Sequence, residues 1–307
     1  MSGLDQALAD YLGVRRALGF KFEHQCRELP QFVAFMEDSG ATTITTELAL
    51  AWATQRAGAS AVSQARRLGR VRGFARHMVA IDPHTEVPPP GLLPQRWRRA
   101  EPYIYTDAEV AALMRAARAL RPPLWAATFE TVIGLMAATG MRSGEALRLD
   151  RDHIDWSEGV ITVWNSKFNA SRALPVHPST MDALARYGRL RDKAFPKPAT
   201  PAVFVAMTGA RLDHSRFNHG FIGLVRAVGL EQPDRRRPRP HDLRHRFAVT
   251  TLIGWYRAGL DVDAQMPLLT TYLGHARPEH SYWYLSGVPE LLLLASERLE
   301  RAERRRP

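Results

Sequence analysis

The sequence has only one cysteine and four lysines, and the cysteine count narrows the classes to which the protein can belong. Its one cysteine, Cys26, excludes an internal disulfide framework and any zinc cluster built on cysteines. A reducing, cytoplasmic compartment is therefore the expected location. No uninterrupted apolar run is long enough to span a bilayer. Acids and arginines interrupt the apolar positions of residues 1–20, so we expect no signal peptide there.

Positive charge is what the sequence has in excess. Its 42 lysines and arginines outnumber 31 aspartates and glutamates, which gives a formal net charge of +11. Such a surface favours a polyanionic partner, and nucleic acid is the simplest candidate. The 307 residues, 45% of them hydrophobic, suffice for two domains with a buried core in each.

Composition and periodicity divide the chain into four segments. Apolar residues recur at helical spacing in residues 1–82, which predicts a helical domain. Residues 83–102 are rich in proline and arginine, which predicts an extended basic linker. Residues 103–288 predict a second helical domain, with two strands around a polar turn at 165–171. Residues 289–307 form a tail with four consecutive leucines. The predicted fold is mainly α with one small β-sheet.

Two arginine-rich segments are candidates for contact with DNA phosphates. The predicted helix over residues 60–80 carries five arginines and no acid beside its apolar stripe, and the linker adds three more. A solvated helix face is the alternative interpretation, but the lack of acids favours phosphate contact. The arginines concerned are Arg66, Arg67, Arg70, Arg72, Arg76, Arg96, Arg98 and Arg99.

Four short segments of the second domain carry side chains suited to chemistry. They are TGMRSGEAL at 139–147, the turn that holds Lys167, PHDLRH at 240–245, and LGH at 273–275 with Tyr284 nine positions later. In this order, and in a basic chain, these segments resemble the tyrosine recombinase, or phage integrase, family. The helical first domain and the proline-rich linker are similar to that family's core-binding domain and interdomain linker.

The same side chains suit phosphate chemistry on physical grounds. Guanidinium groups around a phosphate neutralise the negative charge that develops on it during a reaction. His241 and Arg244 are three residues apart on a predicted helix, so they share a face near its amino terminus. A tyrosine hydroxyl, with an ordinary pKa near 10, needs a positive pocket or a base to act as a nucleophile. Its attack would give a covalent phosphotyrosine without a metal.

The resemblance implies roles for the cations. Arg142 and Arg244 would clamp the scissile phosphate, and Glu145 would support Arg142. Lys167 would be the general acid toward the departing 5′ oxygen. Because arginine cannot release its proton in a protein, a lysine among 38 arginines fits that role. Arg172, at the start of the second predicted strand, is interpreted as an ion-paired surface residue or a contact to the DNA backbone.

The resemblance also implies a nucleophile and two histidines. Tyr284 would attack the phosphate and give a 3′-phosphotyrosyl link. The alternative nucleophiles nearby are Tyr282, Tyr272 and Tyr256. His241 and His275 would hydrogen-bond the phosphate or assist proton transfer. His241 and His245 could also form a zinc pair, but no glutamate stands between them in an HExxH arrangement. We expect no metal and no cofactor.

Taken as a whole, the resemblance implies a site-specific recombinase that acts on double-stranded DNA as a tetramer, through a Holliday junction. Its biological role would be phage integration or excision, transposon movement or chromosome-dimer resolution, with or without accessory proteins. Two alternatives are a non-catalytic DNA-binding protein of the same fold and a DNA-relaxing enzyme similar to type IB topoisomerases. The tail would pack either on its own domain or into a neighbouring subunit. We expect no membrane partner.

Overall fold

The structure is a computed structural model, in which the chain divides into two compact units, Met1–Ala100 and Glu101–Pro307. It describes residues 3–20, 22–94, 102–164, 171–232, 236–275, 277, 279–287 and 290–296. Within these residues, no helix has the length and apolar character needed to cross a membrane. The mainly helical fold with one small sheet is confirmed.

The first unit contains four described helices around one core. They are α1 (Gly3–Ala17), α2 (Glu23–Asp38), α3 (Thr46–Thr54) and α4 (Ala61–Met78). The side chains of Thr45 and Ser60 accept backbone hydrogen bonds at the starts of α3 and α4, which satisfies donors that a helix end leaves open. The apolar stripes meet around Phe32, Trp52 and Phe74, which are fully buried.

The segment after α4 continues along the first unit. Val87 and Leu93 pack against its core, and Arg72 donates hydrogen bonds to the carbonyl oxygens of Pro88 and Pro89 at 2.6 and 2.7 Å. Residues 95–101 lie outside the described residues. The predicted linker over 83–102 therefore stays a prediction, with its first half lying against the first unit.

The second unit is built on helices packed around α6. The described helices are α5 (Asp107–Arg118), α6 (Pro123–Thr139), α7 (Ser143–Leu147), α8 (Pro178–Ala194), α9 (His214–Ala227), α10 (Asp242–Arg257), α11 (Val262–Leu273) and α12 (Glu279–Gly287). Residues 290–296 are also helical. Phe129, Ile133 and Met136 of α6 have no exposed surface and form the centre of the main core.

The sheet of the second unit is antiparallel and small. Its strands are β1 (Ile154–Asp155), β2 (Val160–Val163) and β3 (Arg172–Pro175), in the order β1-β2-β3. Val163 pairs with Arg172, so the two predicted strands and their pairing as a hairpin are confirmed. The turn residues 165–170, and with them Lys167, lie outside the described residues.

Helices α10, α11 and α12 enclose a smaller core of the second unit, separate from the main core around α6. Between Arg244 and His275, α10 runs to Arg257 and α11 begins at Val262, so most of that span is helical. Leu291 of the tail packs into this core and is buried.

Candidate active site

Two glycine-capped helix ends bring distant motifs together. Helix α6 ends at Gly140 and α11 ends at Gly274, with φ values of 63° and 67° that favour glycine. A Cβ atom on Gly140 would lie 2.6 Å from the ring of Phe247, and one on Gly274 would lie 2.7 Å from Nη1 of Arg172. Glycine is therefore required at both positions by backbone conformation and by space.

The guanidinium of Arg244 binds the carbonyl groups at both of these helix ends. Its Nη1 donates to the carbonyl oxygen of Gly140 at 3.0 Å, and its Nη2 donates to that of Leu273 at 2.6 Å. The last carbonyls of a helix carry partial negative charge, so a buried cation is well placed there. Burial and, after it, the charge of Arg142 lower the pKa of Arg244 to about 9, which leaves it charged at neutral pH.

Arg142 approaches the same place from the start of α7. Its Nη2 donates to the carbonyl oxygen of Gly274 at 3.0 Å, and its Nη1 donates to Oε1 of Glu145 at 2.6 Å. The backbone N–H of Arg142 donates to the other carboxylate oxygen of Glu145 at 3.0 Å. The side chain of Arg142 keeps 26% of its surface exposed, so this guanidinium is open to a ligand from outside.

Glu145 is bound by a second arginine, Arg172. Nη1 and Nη2 of Arg172 lie 3.2 and 2.8 Å from the two carboxylate oxygens, and its Nε donates to the carbonyl oxygen of Tyr272 at 2.7 Å. Burial alone would raise the pKa of Glu145, but the hydrogen bonds and charge of Arg172, with the charge of Arg142, lower it to about 2. Glu145 is therefore ionised at neutral pH, and its carboxylate bridges the guanidinium groups of Arg142 and Arg172.

The position of Arg172 corrects part of its sequence interpretation. It is ion-paired as expected, but its side chain is 8% exposed and belongs to the site rather than to the surface. The available signal was its place at the first residue of a strand, directly after the turn that holds Lys167.

The hydroxyl group of Tyr284 lies against α10. Nδ1 of His245 is 3.0 Å from the hydroxyl oxygen of Tyr284, and both residues are buried. The ring of His241 stands edge-on to the ring of His245, with centroids 4.8 Å apart. The predicted nucleophile is thus in direct contact with the residue that follows Arg244. Sequence reasoning considered His245 only as a zinc ligand.

The ring of His275 also packs against Tyr284. The two rings are stacked with centroids 6.3 Å apart, and Nδ1 of His275 is 2.7 Å from Oγ of the buried Ser281. Thr270 donates to the same Oγ at 2.9 Å. Since His275 follows Gly274, its backbone continues from the carbonyl that Arg142 binds. Tyr282, one alternative nucleophile, is 42% exposed.

The structure therefore brings most of the predicted catalytic residues to one place. Arg142, Glu145 and Arg244 are linked through the ends of α6 and α11. His245 and His275 contact Tyr284. His241 lies against His245. The predicted residues that the structure describes are Arg142, Glu145, His241, Arg244, His275 and Tyr284. Lys167 lies outside the described residues. Among the described residues, the one group of three potential metal ligands is Asp150, Asp152 and His153, which contains neither member of the candidate zinc pair.

The predicted DNA-binding arginines of α4 divide into exposed and buried ones. Arg66 and Arg76 are exposed, as a phosphate contact requires. Arg67 is buried: it donates to the carbonyl oxygen of Trp52 at 3.0 Å, and its guanidinium lies 3.9 Å from the centroid of the indole ring. The prediction of a phosphate contact is wrong for Arg67, because the packing of α3 on α4 covers it.

The other predicted arginines have partners or lie outside the described residues. Arg70 forms an ion pair with Glu28 of α2, and Arg72 binds the carbonyl groups of the segment after α4. Both are partly exposed, so a phosphate contact for them stays a prediction. The three arginines of the linker lie outside the described residues and are Arg96, Arg98 and Arg99.

Comparison with known proteins finds integrases and recombinases as relatives, and two of them match almost the whole chain. The model of the phage integrase family matches residues 104–288. An integrase/recombinase of Sinorhizobium fredii, y4rB, is 42% identical over 98% of this chain and 98% of its own. A second from that organism, y4rE, is 38% identical over 96% and 95%. Tyrosine recombinase XerC of Azotobacter vinelandii is 30% identical over 71% of this chain and 67% of its own.

Solved structures share the fold at lower identity. XerA recombinase covers 98% of this chain and 99% of its own at 21% identity, with a TM-score of 0.52. The Tn1549 transposon integrase, solved with transposon right end DNA, covers 96% and 98% at 16% identity, with a TM-score of 0.62. A lambda integrase tetramer bound to a Holliday junction covers 91% and 79% at 18% identity, with a TM-score of 0.60.

Proposed function

The chain belongs to the phage integrase family, and from this premise we propose how its site acts on DNA. The protein is a tyrosine recombinase, an enzyme that breaks and rejoins DNA strands at specific sites. We assign the nucleophile to Tyr284 and the phosphate clamp to Arg142 and Arg244. This assignment is supported by one observation: the guanidinium groups of Arg142 and Arg244 both bind carbonyl groups at the end of α11, near Tyr284.

The clamp works by charge. Arg142 and Arg244 each use two of their N–H donors on carbonyl or carboxylate oxygens of the site, and a guanidinium has five donors in all. The remaining donors can bind the non-bridging oxygens of a phosphodiester. In a site with little water, this stabilises the extra negative charge of the pentacovalent transition state. Glu145 fixes the orientation of Arg142 and cannot neutralise both arginines beside it.

The covalent step exchanges one phosphodiester for another. The hydroxyl oxygen of Tyr284 attacks phosphorus, the bond from phosphorus to O5′ breaks, and Lys167 donates a proton to the departing oxygen. His241 and His275 hydrogen-bond the phosphate. The products are a 3′-phosphotyrosyl link and a free 5′ hydroxyl. Since the ester bond is kept, a 5′ hydroxyl of another duplex can reverse the step and create a Holliday junction.

We propose that the first unit and the linker hold the duplex for this reaction. Exposed Arg66 and Arg76, with the linker arginines, bind phosphates, and the protein lies with the chromosomal DNA in the cytoplasm. Four subunits assemble on two duplexes, by analogy with the lambda integrase tetramer. The tail, residues 289–307, joins neighbouring subunits.

A covalent trap tests the proposal. The substrate is a duplex carrying the protein's own mapped site, nicked beside the cleavage position so that the released fragment diffuses away. Wild-type protein should form a covalent adduct with it, and Tyr284→Phe should form none. Tyr282→Phe is the matched control, because that hydroxyl is two residues away and partly exposed, and its adduct should be unchanged. An adduct that persists in Tyr284→Phe refutes the nucleophile.

The alternatives are separate outcomes of the same experiment. A protein that binds the duplex and forms no adduct is a non-catalytic DNA-binding protein. A protein that forms the adduct and relaxes supercoiled plasmid, without joining strands of two different duplexes, acts as a topoisomerase. Joined products from two duplexes support the recombinase.

A further inference from the structure

The imidazole of His245 stands between the phosphate clamp and the nucleophile. His245 follows Arg244 directly on α10, and its Nδ1 is 3.0 Å from the hydroxyl oxygen of Tyr284. This is the distance of a hydrogen bond. When the ring carries its proton at Nε2, the phenol donates and Nδ1 accepts. The contact is buried, so water competes little for the phenolic proton.

We propose that His245 is the general base that accepts the phenolic proton of Tyr284 during strand cleavage. This inference rests on the proposed function. As the bond from the Tyr284 oxygen to phosphorus forms and the bond to O5′ breaks, the phenolic proton passes to Nδ1 of His245. The departing O5′ takes its own proton from the general acid. In rejoining, His245 returns its proton to the departing phenolate.

The reaction needs such a base because a phenol is a weak nucleophile at neutral pH. Its ordinary pKa is near 10, so only a small fraction is ionised before attack. A base within hydrogen-bond reach removes the proton in the transition state and contributes roughly 100-fold to 10,000-fold in rate. Histidine is the side chain whose ordinary pKa lies closest to neutrality, which suits it to accept and return a proton.

Other possible proton acceptors of the site are hydrogen-bonded to other groups. The carboxylate of Glu145 is bound by Arg142 and Arg172 and stays ionised with a pKa of about 2, so it is too weak a base. Nδ1 of His275 lies 2.7 Å from Oγ of Ser281. The described contact between a ring nitrogen and the phenol oxygen is that of Nδ1 of His245, at a hydrogen-bond distance of 3.0 Å.

The base is also fixed relative to the phosphate. Arg244 ties α10 to the carbonyl groups of Gly140 and Leu273, and His245 is the next residue of the same helix. A helix is stiff over one residue, so the base and the clamp move together. The geometry therefore keeps the proton acceptor at one distance from the scissile phosphate.

Four variants, with Lys167→Ala as the fourth, and two substrates test this role. In His245→Asn, Oδ1 takes the place of Nδ1 and still accepts a hydrogen bond, but it cannot take up a proton at neutral pH. His245→Ala removes both properties, and His219→Asn is the control, because His219 is exposed on α9. The first substrate is the nicked duplex; the second has sulfur in place of O5′, a leaving group that needs no proton. The readouts are the single-turnover rate of adduct formation, DNA affinity and melting temperature.

The rates on the two substrates distinguish a general base from a general acid. His245→Asn should bind DNA and melt like the wild type, yet form adduct about 100-fold or more slowly on both substrates. Lys167→Ala should be slow on the oxygen substrate and recover with sulfur. Adduct formation by His245→Asn within about threefold of wild type overturns the inference, since the full effect of a base is larger. Recovery of the wild-type rate by His245→Asn on the sulfur substrate would also overturn the inference. Absence of adduct from the wild type overturns the proposed function instead.

Discussion

Nη1 of Arg244 donates a hydrogen bond to the carbonyl oxygen of Gly140 at 3.0 Å, across 104 residues of sequence. The bond joins the start of α10 to the end of α6, and the second bond of the same guanidinium, to Leu273, adds the end of α11. One buried arginine therefore sets the distance between three motifs that are far apart in the chain. The two glycine caps make this possible, since each exposes its helix's last carbonyls to the arginine.

Gly140→Ala should therefore damage both the fold and the site. The left-handed backbone is strained with a Cβ atom, and that atom would meet Phe247 at 2.6 Å and Leu273 at 2.9 Å. Together these effects should destabilise the protein by about 2–5 kcal/mol. The measurement is urea unfolding, with the rate of adduct formation at a temperature where the variant is folded.

Gly254→Ala is the matched control for that substitution. Gly254 lies inside α10, is exposed, and has open space around its position for a Cβ atom. Alanine there should stabilise the protein by about 0.5–1 kcal/mol through helix propensity. If Gly140→Ala were as harmless as this control, the requirement for a glycine cap at the site would be wrong.

Glu145→Gln should destabilise the protein strongly. The change keeps the shape of the side chain and removes its charge, which leaves Arg142 and Arg172 without their shared carboxylate. Breaking a buried ion pair from one side costs about 3–5 kcal/mol. Glu130→Gln removes the partner of Arg118 in a more exposed pair and should cost about 1 kcal/mol or less. Equal losses in the two variants would contradict the buried network.

The carboxylate of Glu145 should also make the free energy of unfolding sensitive to acid. Because folding lowers the pKa of Glu145 from 4.5 to about 2, its contribution is complete above pH 4.5 and is lost as the pH falls from there to about 2. The contribution is about 3 kcal/mol. Unfolding free energies of wild type and Glu145→Gln, measured between pH 6 and about pH 2, should therefore converge with acid. A difference that stays constant across this window would show that Glu145 is not the titrating group.

Sequence reasoning could place most of the elements because they depend on local signals. The apolar stripes predict the helices of the first unit, Thr106 and Glu109 of the capping box mark the start of α5, and Gly140 marks the end of α6. The short α7 and the interior of α11 are harder to place from local signals. Five residues make little periodicity, and Pro267 inside α11 argues locally against a helix.

The site could be predicted as a set of residues, but its contacts could not. Arg142, Arg244 and Tyr284 were recognised by motif order, whereas the role of Arg172 depends on the return of β3 to the end of α11. The burial of Arg67 likewise depends on Trp52 of a neighbouring helix. Such contacts follow from tertiary packing, which no local pattern encodes.

The division of the arginines on α4 predicts different effects on DNA binding. Arg66→Ala and Arg76→Ala should each weaken binding and reduce the slope of log affinity against log salt by about 0.9, since each removes one phosphate contact. Arg67→Ala should lower the melting temperature and leave the slope unchanged, because it removes the contact with Trp52. Fluorescence anisotropy with a duplex, over a series of NaCl concentrations, measures the slopes. An equal loss of slope in Arg67→Ala would contradict the burial.

The leucines of the tail predict two separable effects. Leu291 is 1% exposed and packs beside Tyr284, so Leu291→Ala should destabilise the protein by about 2–5 kcal/mol and slow adduct formation. Leu292 and Leu293 are 52% and 61% exposed, so replacing both with serine should change stability by no more than about 0.5 kcal/mol. If these two leucines contact a neighbouring subunit, the double variant should still cleave the nicked duplex but assemble fewer tetramers on DNA, as measured by mass photometry. Normal assembly and normal recombination by the double variant would confine the tail to its own subunit.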